Sequence, residues 1–413
     1  MKKLFLTLIT LISFGSATTA FAQDFDVAAK HAIAVEANTG KILYEKDATQ
    51  PVEIASISKL LTVYLVYEAL EQGKITLSTP VEISDYPYQL TTNSEASNVP
   101  MEARNYTVEE LLEATLVSSA NSAAIALSEK IAGSEKDFVD MMKAKLLEWG
   151  IQDATLVNTT GLNNETLGNN IYPGSKKDDE NKLSAYDVAV VARNLILKYP
   201  QVLEITKKPS STFRGMTITS TNYMLEGMPA YRGGVDGLKT GTTDKAGASF
   251  VGTTVEKGMR IITVVLNADN QDTNPYARFT STSALLDYIS SNFALQTIVK
   301  QGESYQDSKS PVLDGKQDTV TAVAKEDIKI VQRLGSRAQS SVTYTPDTTE
   351  HTAPLEAGTV VGHLTYEDKD LVGQGYITSD KPSFEMVSDK NVEKAFFLKV
   401  WWNRFVRFVN EKL

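Results

Sequence analysis

Apolar and polar positions divide this 413-residue chain into stretches of different rhythm. Residues His31 to Glu36 alternate, Asn38-Thr39-Gly40 turns the chain, and Lys41 to Glu45 alternates again, which predicts a hairpin. From Ile54 to Glu71 the apolar positions Leu60, Leu61, Tyr64, Leu65 and Tyr67 recur at helical spacing. Two more helices are predicted over Val108 to Leu116 and Ala123 to Ile131, the first entered through a Thr107/Glu110 capping box. Residues 158 to 182 are rich in Asn, Gly, Asp and Lys and predict a long surface loop. A helix over Ala185 to Tyr199 follows. Strands over Ala248 to Val255 and Arg260 to Asn267 then flank a Lys257-Gly258 turn, and a helix over Thr280 to Phe293 closes the unit. Strands at both ends around central helices predict an α+β unit, an antiparallel sheet with helices packed on it.

The rhythm changes after about residue 300. Short alternating stretches such as Thr319 to Ala324 and Asp327 to Gln332, separated by polar turns, predict a small all-β domain up to about 388. It changes again from Asn391 to Leu413. On a helical projection Leu398, Trp401, Trp402, Phe405, Phe408 and Val409 share one stripe, with Lys399, Asn403, Arg407 and Asn410 opposite. Lys394, Lys399, Arg404, Arg407 and Lys412 outweigh Glu393 and Glu411, and a cationic helix with tryptophans on its apolar side suits a bilayer surface. Phe396 and Val400, off the stripe, add more apolar area than docking on the β-domain would need. At the other end Lys2 and Lys3 precede an apolar run from Leu4 to Phe14 and a small-residue Ala20-Phe21-Ala22 site, which predicts an export signal over 1–22. The expected organisation is therefore a signal at 1–22, a first domain at 23–295, a β-rich domain at 296–390 and an anchoring helix at 391–413. The expected location is the outer face of the cytoplasmic membrane.

Composition removes several classes of chemistry. Cysteine is absent, so disulfides, thiol nucleophiles and thiolate metal sites are excluded. The three histidines, His31, His351 and His363, leave little room for a metal centre or a Ser-His-Asp triad, and no metal or cofactor is expected. A formal net charge of −10 argues against nucleic acid as a partner.

Three short motifs carry candidate chemistry. Ser56-Ile57-Ser58-Lys59 is the chain's one S-x-x-K and opens the first apolar helix, where positions i and i+3 stack. A hydroxyl becomes a useful nucleophile when a base takes its proton, and a lysine whose pKa is depressed by burial or a second cation can be that base. Lys239-Thr240-Gly241, followed by Thr242, offers a lysine, hydroxyls and a glycine that lets an extended peptide approach the backbone. Ser119-Ala120-Asn121 lies at the junction of the two middle helices. S-x-N alone is common, and Ser220-Thr221-Asn222 and Ser290-Ser291-Asn292 also match it. Only the copy at 119 to 121 falls between the other two motifs, and S-x-x-K, S-x-N and K-T-G in that order mark β-lactamases and penicillin-binding proteins.

Together with Asn38-Thr39-Gly40-Lys41-Ile42-Leu43, Asn158-Thr159-Thr160-Gly161-Leu162 and Val235-Asp236-Gly237-Leu238 before the third motif, these residues resemble the low-molecular-mass penicillin-binding proteins, the serine D-alanyl-D-alanine carboxypeptidases. The resemblance covers roughly residues 27 to 390. It implies a penicillin-binding, β-lactamase-like transpeptidase fold followed by a small β-sandwich and a C-terminal amphipathic helix. It further implies that Ser56 attacks the penultimate D-alanine of a peptidoglycan stem peptide ending in D-Ala-D-Ala and that Lys59 takes its proton. Ser119 then relays a proton to the leaving amine, and Asn121 holds the substrate amide. Lys239 and Thr242 bind the terminal carboxylate, with Arg278 a second partner, Thr240 and Gly241 belong to the same substrate-binding strand, and the N–H groups of Ser56 and Thr242 form an oxyanion hole. β-Lactams would acylate the same serine. Ser122 stands where aspartate is more usual after Asn121, and Asn181-Lys182-Leu183-Ser184 where a histidine often precedes the serine.

A β-lactamase of the kind that uses an E-x-x-L-N glutamate would place Glu165 and Asn169 in that role, but Gly168 holds the leucine position. A penicillin sensor would carry a spanning helix, and the sequence shows none.

Overall fold

The computed structural model describes residues 25–348, 350–378 and 382–412, so the expected signal over 1–22 lies outside the described residues. The hairpin forms β1 (Ala29–Glu36) and β2 (Ile42–Lys46). They join β3 (Val235–Gly241), β4 (Ser249–Glu256) and β5 (Met259–Ala268) in a five-stranded antiparallel sheet of order β2-β1-β5-β4-β3. Both faces of this sheet are covered, which is why its strands read as near-continuous apolar runs. Ile33, Val35, Val264 and Leu266 face the larger core, while Ala32, Ala34, Phe250 and Val265 face a second core on the other side.

The larger core is helical. A 3-10 turn at Ala55–Ser58 leads into α1 (Lys59–Glu71), which is buried nearly all round because it runs through the middle of the domain. Around it lie α2 (Val108–Val117), α3 (Asn121–Ala132), α4 (Glu135–Glu148) and α5 (Ala185–Lys198). The Thr107/Glu110 capping box is present on α2. Helix α4 is not among the expected elements, although Ser134 caps it by accepting from the Asp137 N–H. α6 (Ala277–Asn292) covers the second face through Leu285, Leu286 and Ile289.

The expected surface loop at 158–182 differs most from its composition. Asn158, Thr159, Thr160, Asn164, Glu180 and Asn181 are buried, because their side chains bond to backbone groups or to other side chains instead of water. Polarity marked the segment as irregular, but its ends belong to the core.

Helix α6 passes without a linker into β6 (Phe293–Val299), so the expected boundary at 295 falls inside a strand. The β-domain adds β7 (Ser304–Leu313), β8 (Thr319–Ala324), β9 (Ile328–Arg333), β10 (Ser341–Pro346), β11 (His351–Thr352), β12 (Val360–Glu367) and β13 (Ser383–Ser388). β6 pairs with β9, and the remaining six form a sheet of order β10-β12-β13-β8-β7-β11. Helix α7 begins at Phe397, not at 391, since Val392 is buried in the β-domain and pairs with Leu355.

The two domains are pinned by a charge pair. Lys41 Nζ lies 2.6 Å from the Asp368 carboxylate, both side chains 2 % exposed, and it also donates to the Val331 carbonyl at 3.1 Å. Tyr376 donates to the same carboxylate at 2.9 Å. Removing one member of such a pair leaves a buried charge with no counterion. Lys41→Met is therefore expected to cost about 3–5 kcal/mol in urea denaturation, with Lys41→Met/Asp368→Leu recovering much of it. A single-variant loss below about 1 kcal/mol, the worth of a surface pair, would show that the seam does not depend on it.

Candidate active site

The nucleophile motif is built on an unusual turn. Ala55 takes φ +48°, in the left-handed region, and Ser56 follows in the 3-10 turn before α1. The expectation of one continuous helix from Ile54 is thus corrected, and the tighter turn brings residues i and i+3 nearly into line. Lys59 is fully buried, and its Nζ lies 2.8 Å from Ser56 Oγ, 2.6 Å from Asn121 Oδ1 and 2.9 Å from the Thr160 carbonyl. Burial, and then the charge on Lys239, hold its pKa well below the ordinary lysine value.

Two glycines press on this turn. A Cβ on Gly241 would sit 2.6 Å from the Ile54 carbonyl oxygen, and one on Gly161 would sit 1.7 Å from that of Ala55. The glycine of K-T-G therefore admits the nucleophile turn against β3, a closer constraint than the approach of a peptide inferred from sequence.

The S-x-N motif occupies the junction of α2 and α3, as its spacing predicts. Ser119 takes φ +62° there and is 4 % exposed. Asn121 opens α3 and donates from Nδ2 to the Ser97 carbonyl at 2.8 Å while its oxygen receives Lys59. One Nδ2 proton is left for a substrate amide.

Lys239, Thr240 and Gly241 end the edge strand β3, alongside the nucleophile turn. Lys239 is 1 % exposed, and burial, followed by the charge of Arg278, brings its pKa down to about 7. Thr240 Oγ1 shares a hydrogen bond of 2.7 Å with Thr221 Oγ1, so one of the discarded S-x-N matches supports the K-T-G strand. Arg278 donates from Nη1 to the Gly241 carbonyl at 2.9 Å and the Ser249 carbonyl at 3.1 Å, and burial lowers its pKa to about 10. Thr242 is exposed just beyond the strand. Next to it Thr243 donates to Glu180 at 2.6 Å, tying this end of the site to the 158–182 segment.

Lys59, Lys239 and Arg278 thus form a cationic cluster, and among the described residues none of the three forms an ion pair with a carboxylate. Such an arrangement can deprotonate Ser56 and receive an anion. Asn158, the Thr160 carbonyl, Asn181 and Thr221 support it without appearing among the sequence candidates. The Asn158-Thr159-Thr160-Gly161 block holds the first two, and the sequence marks it only through the family resemblance.

The D-alanyl-D-alanine carboxypeptidase family model matches residues 17–270, and the model for the penicillin-binding protein 5 C-terminal domain matches residues 293–394. The chain is 84% identical to a peptidoglycan synthesis regulatory factor (PBP3) from Streptococcus pneumoniae, with a TM-score of 0.88 over 89% of this chain and 100% of that one. D-alanyl-D-alanine carboxypeptidase DacF of Bacillus subtilis is 29% identical over 96% of both chains. Penicillin-binding protein D2 from Listeria monocytogenes, solved in an ampicillin-bound form, is 29% identical with a TM-score of 0.54 over 65% of this chain and 99% of that one. With its motifs brought together around Lys59 and both domains matched, the chain belongs to the D-alanyl-D-alanine carboxypeptidase family of serine hydrolases, the low-molecular-mass penicillin-binding proteins.

Proposed function

We propose that this chain removes the terminal D-alanine from peptidoglycan stem peptides by way of an acyl-enzyme on Ser56. The observation that carries the reading is the Ser56–Lys59 contact of 2.8 Å beside a buried cationic cluster without acids. Ser56 Oγ attacks the carbonyl of the penultimate D-alanine as its proton passes to Lys59 Nζ. The N–H groups of Ser56 and Thr242 receive the oxyanion. The C–N bond then breaks, Ser119 carries a proton to the leaving amine, and D-alanine departs. Water hydrolyses the ester and restores the serine hydroxyl. Lys239, Thr240, Thr242 and Arg278 hold the free carboxylate. A β-lactam presents its strained amide and its carboxylate to the same groups, and the ampicillin-bound Listeria relative supports this. Glu165, the residue a β-lactamase reading would need, is exposed.

We place the protein on the outer face of the cytoplasmic membrane, held there through α7. Trp401 and Trp402 are 64 % and 58 % exposed, with Phe405 and Phe408 exposed beside them. The other side of the helix is docked: Val400 is buried, Lys399 pairs with Asp318 at 3.0 Å, and Arg404 donates to Asp314 at 3.1 Å. Val400 therefore belongs to the docking face and adds nothing to the apolar surface, in contrast to the sequence expectation. No helix among the described residues is long and apolar enough to cross a membrane.

Four outcomes test this reading. Ser56→Ala is expected to abolish covalent penicillin labelling and release of D-alanine from a D-Ala-D-Ala peptide. In the unaltered protein the acylation rate is expected to rise with pH along a limb well below the ordinary lysine value, since the neutral amine is the active form. A limb near 10.5, the ordinary lysine value, would remove Lys59 as the base. Lys239 in the free protein loses its proton near 7, and a bound carboxylate restores it. Binding of penicillin to Ser56→Ala at about pH 8 is then expected to take up close to one proton, read by calorimetry in buffers of different ionisation enthalpy. Binding without uptake would detach the carboxylate from Lys239. Finally, Trp401→Glu/Trp402→Glu is expected to shift the protein from the membrane to the soluble fraction with peptidase activity retained, and unchanged membrane association would refute the anchor.

A further inference from the structure

Neutral lysine has two N–H donors and one lone pair. Asn121 Oδ1 and the Thr160 carbonyl, 2.6 and 2.9 Å from Lys59 Nζ, take the two donors, which leaves the lone pair facing Ser56 Oγ at 2.8 Å. The aim of the base therefore depends on where the Thr160 carbonyl is held. That carbonyl belongs to a loop organised by two buried amides.

Asn158 Oδ1 accepts from the Thr160 N–H at 3.1 Å and the Gly161 N–H at 2.6 Å. Asn181 lies behind it with no exposure, and all four of its visible bonds are directed. Its Oδ1 accepts from the N–H groups of Val157 at 2.7 Å and Asn158 at 3.2 Å. Its Nδ2 donates to the Asn158 carbonyl at 2.8 Å and to Ser58 Oγ at 2.9 Å. Ser58 sits between the nucleophile and the base and donates in turn to the Ala55 carbonyl at 2.8 Å. The backbone of Asn181 also accepts from the Ile54 N–H at 3.1 Å. One side chain thus joins the turn that presents Ser56 to the loop that presents the Thr160 carbonyl. An amide suits this place because it donates twice and accepts twice, whereas a carboxylate only accepts and a neutral imidazole does each once.

We infer that Asn181 is a positioning residue for proton abstraction, setting the register between the Ser56 turn and the Thr160 carbonyl so that the Lys59 lone pair points at the nucleophile. The inference rests on the reading of Lys59 as the base. Among the described residues the Asn181 side chain has no hydrogen bond to the cations Lys239 and Arg278, so its loss acts on chemistry and leaves recognition alone.

The test resolves benzylpenicillin acylation of the full chain into a pre-covalent dissociation constant K and an acylation rate constant k2. In Asn181→Ala, k2 is expected to fall at least about tenfold, because misaim of reacting groups by a fraction of an ångström is costly, with K within about twofold of the unaltered protein. Asn181→Asp preserves shape and the acceptor for Val157 and Asn158, loses both donors, and puts a negative charge near Lys59. Its k2 is expected to fall as well, with the rising limb of the pH profile displaced upward by at least about one unit. It decides the matter if the alanine variant fails to fold. Parallel losses in K and k2, an unchanged k2, or an undisplaced limb in Asn181→Asp would overturn the assignment. Ser56→Ala and Lys59→Ala are run alongside. Undiminished acylation in either would sink the reading of the base itself, whereas inactivity in both with a normal Asn181→Ala would remove only the role of Asn181.

Discussion

A lysine amine with no exposure, bonded to one hydroxyl and two carbonyl oxygens and to no carboxylate, is the constraint on which the rest of this structure depends. Burying such a group charged is expensive, and the usual remedies are a paired acid or loss of the proton. Here the acid is withheld. Lys239 lies close enough to repel, and Arg278 repels Lys239 in turn, so each cation favours the neutral form of its neighbour. Under the proposed function the cluster serves two purposes with one arrangement: a base that is neutral when free, and a socket whose charge returns when a carboxylate enters.

That arrangement is held at a cost to the fold. Lys59 and Lys239 have lower pKa values in the folded chain than in the unfolded one, so the unfolded chain binds more protons between those values. The Lys239 contribution therefore raises stability with pH across the window from about 7, where folded Lys239 titrates, toward the ordinary lysine value of 10.5, and its penalty is complete below about 7; Lys59 acts in the same direction. The surrounding scaffold is correspondingly well satisfied. Asn158, Asn181, Thr62 and Glu135 direct side-chain bonds at backbone groups of one loop, and Gly161 and Gly241 let that loop and β3 close on the Ser56 turn. The left-handed Ala55 and Ser119 are kept in place by what packs around them, which is where strained residues at working sites are found.

Much of this was legible in the sequence, for reasons that differ by element. Strands β1, β2, β4 and β5 and helices α1, α2 and α5 stand out as apolar segments because each buries most of its apolar side chains, whereas β3 is marked only by its K-T-G motif. The order S-x-x-K, S-x-N, K-T-G located the groups that meet in space, since motif chemistry requires particular side chains whatever the loops between them. Reading 158–182 as surface failed because polarity reports where water could go, and here the amides and hydroxyls found backbone partners instead. Helix α4 escaped because only Phe138, Val139, Met142 and Leu146 are buried along its length, a stripe too thin to stand out among its charges. Asn181 was visible as a departure from a family pattern, yet its meaning required knowing that Val157, Asn158 and Ser58 converge on it.

Charge placement connects the site to the rest of the molecule. The chain is acidic overall, with a net charge of −10, yet among the described residues no carboxylate pairs with Lys59, Lys239 or Arg278. Asp236, three residues before Lys239, accepts two bonds from Arg260 at 2.6 and 2.9 Å. Asp368 is held by Lys41 where the two domains meet, and Asp314 by Arg404 where α7 docks. The last two of these pairs fix one body of the chain against another, so the posture of the first domain over the β-domain and of the aromatic helix on the β-domain is set by carboxylates bound elsewhere than at Lys59 and Lys239. If any were available to Lys239 or Lys59, it would neutralise the socket and raise the proton affinity of the base. Separating the acids from the cleft is thus the same act as building it, and the seams of the fold are where the displaced charge is used.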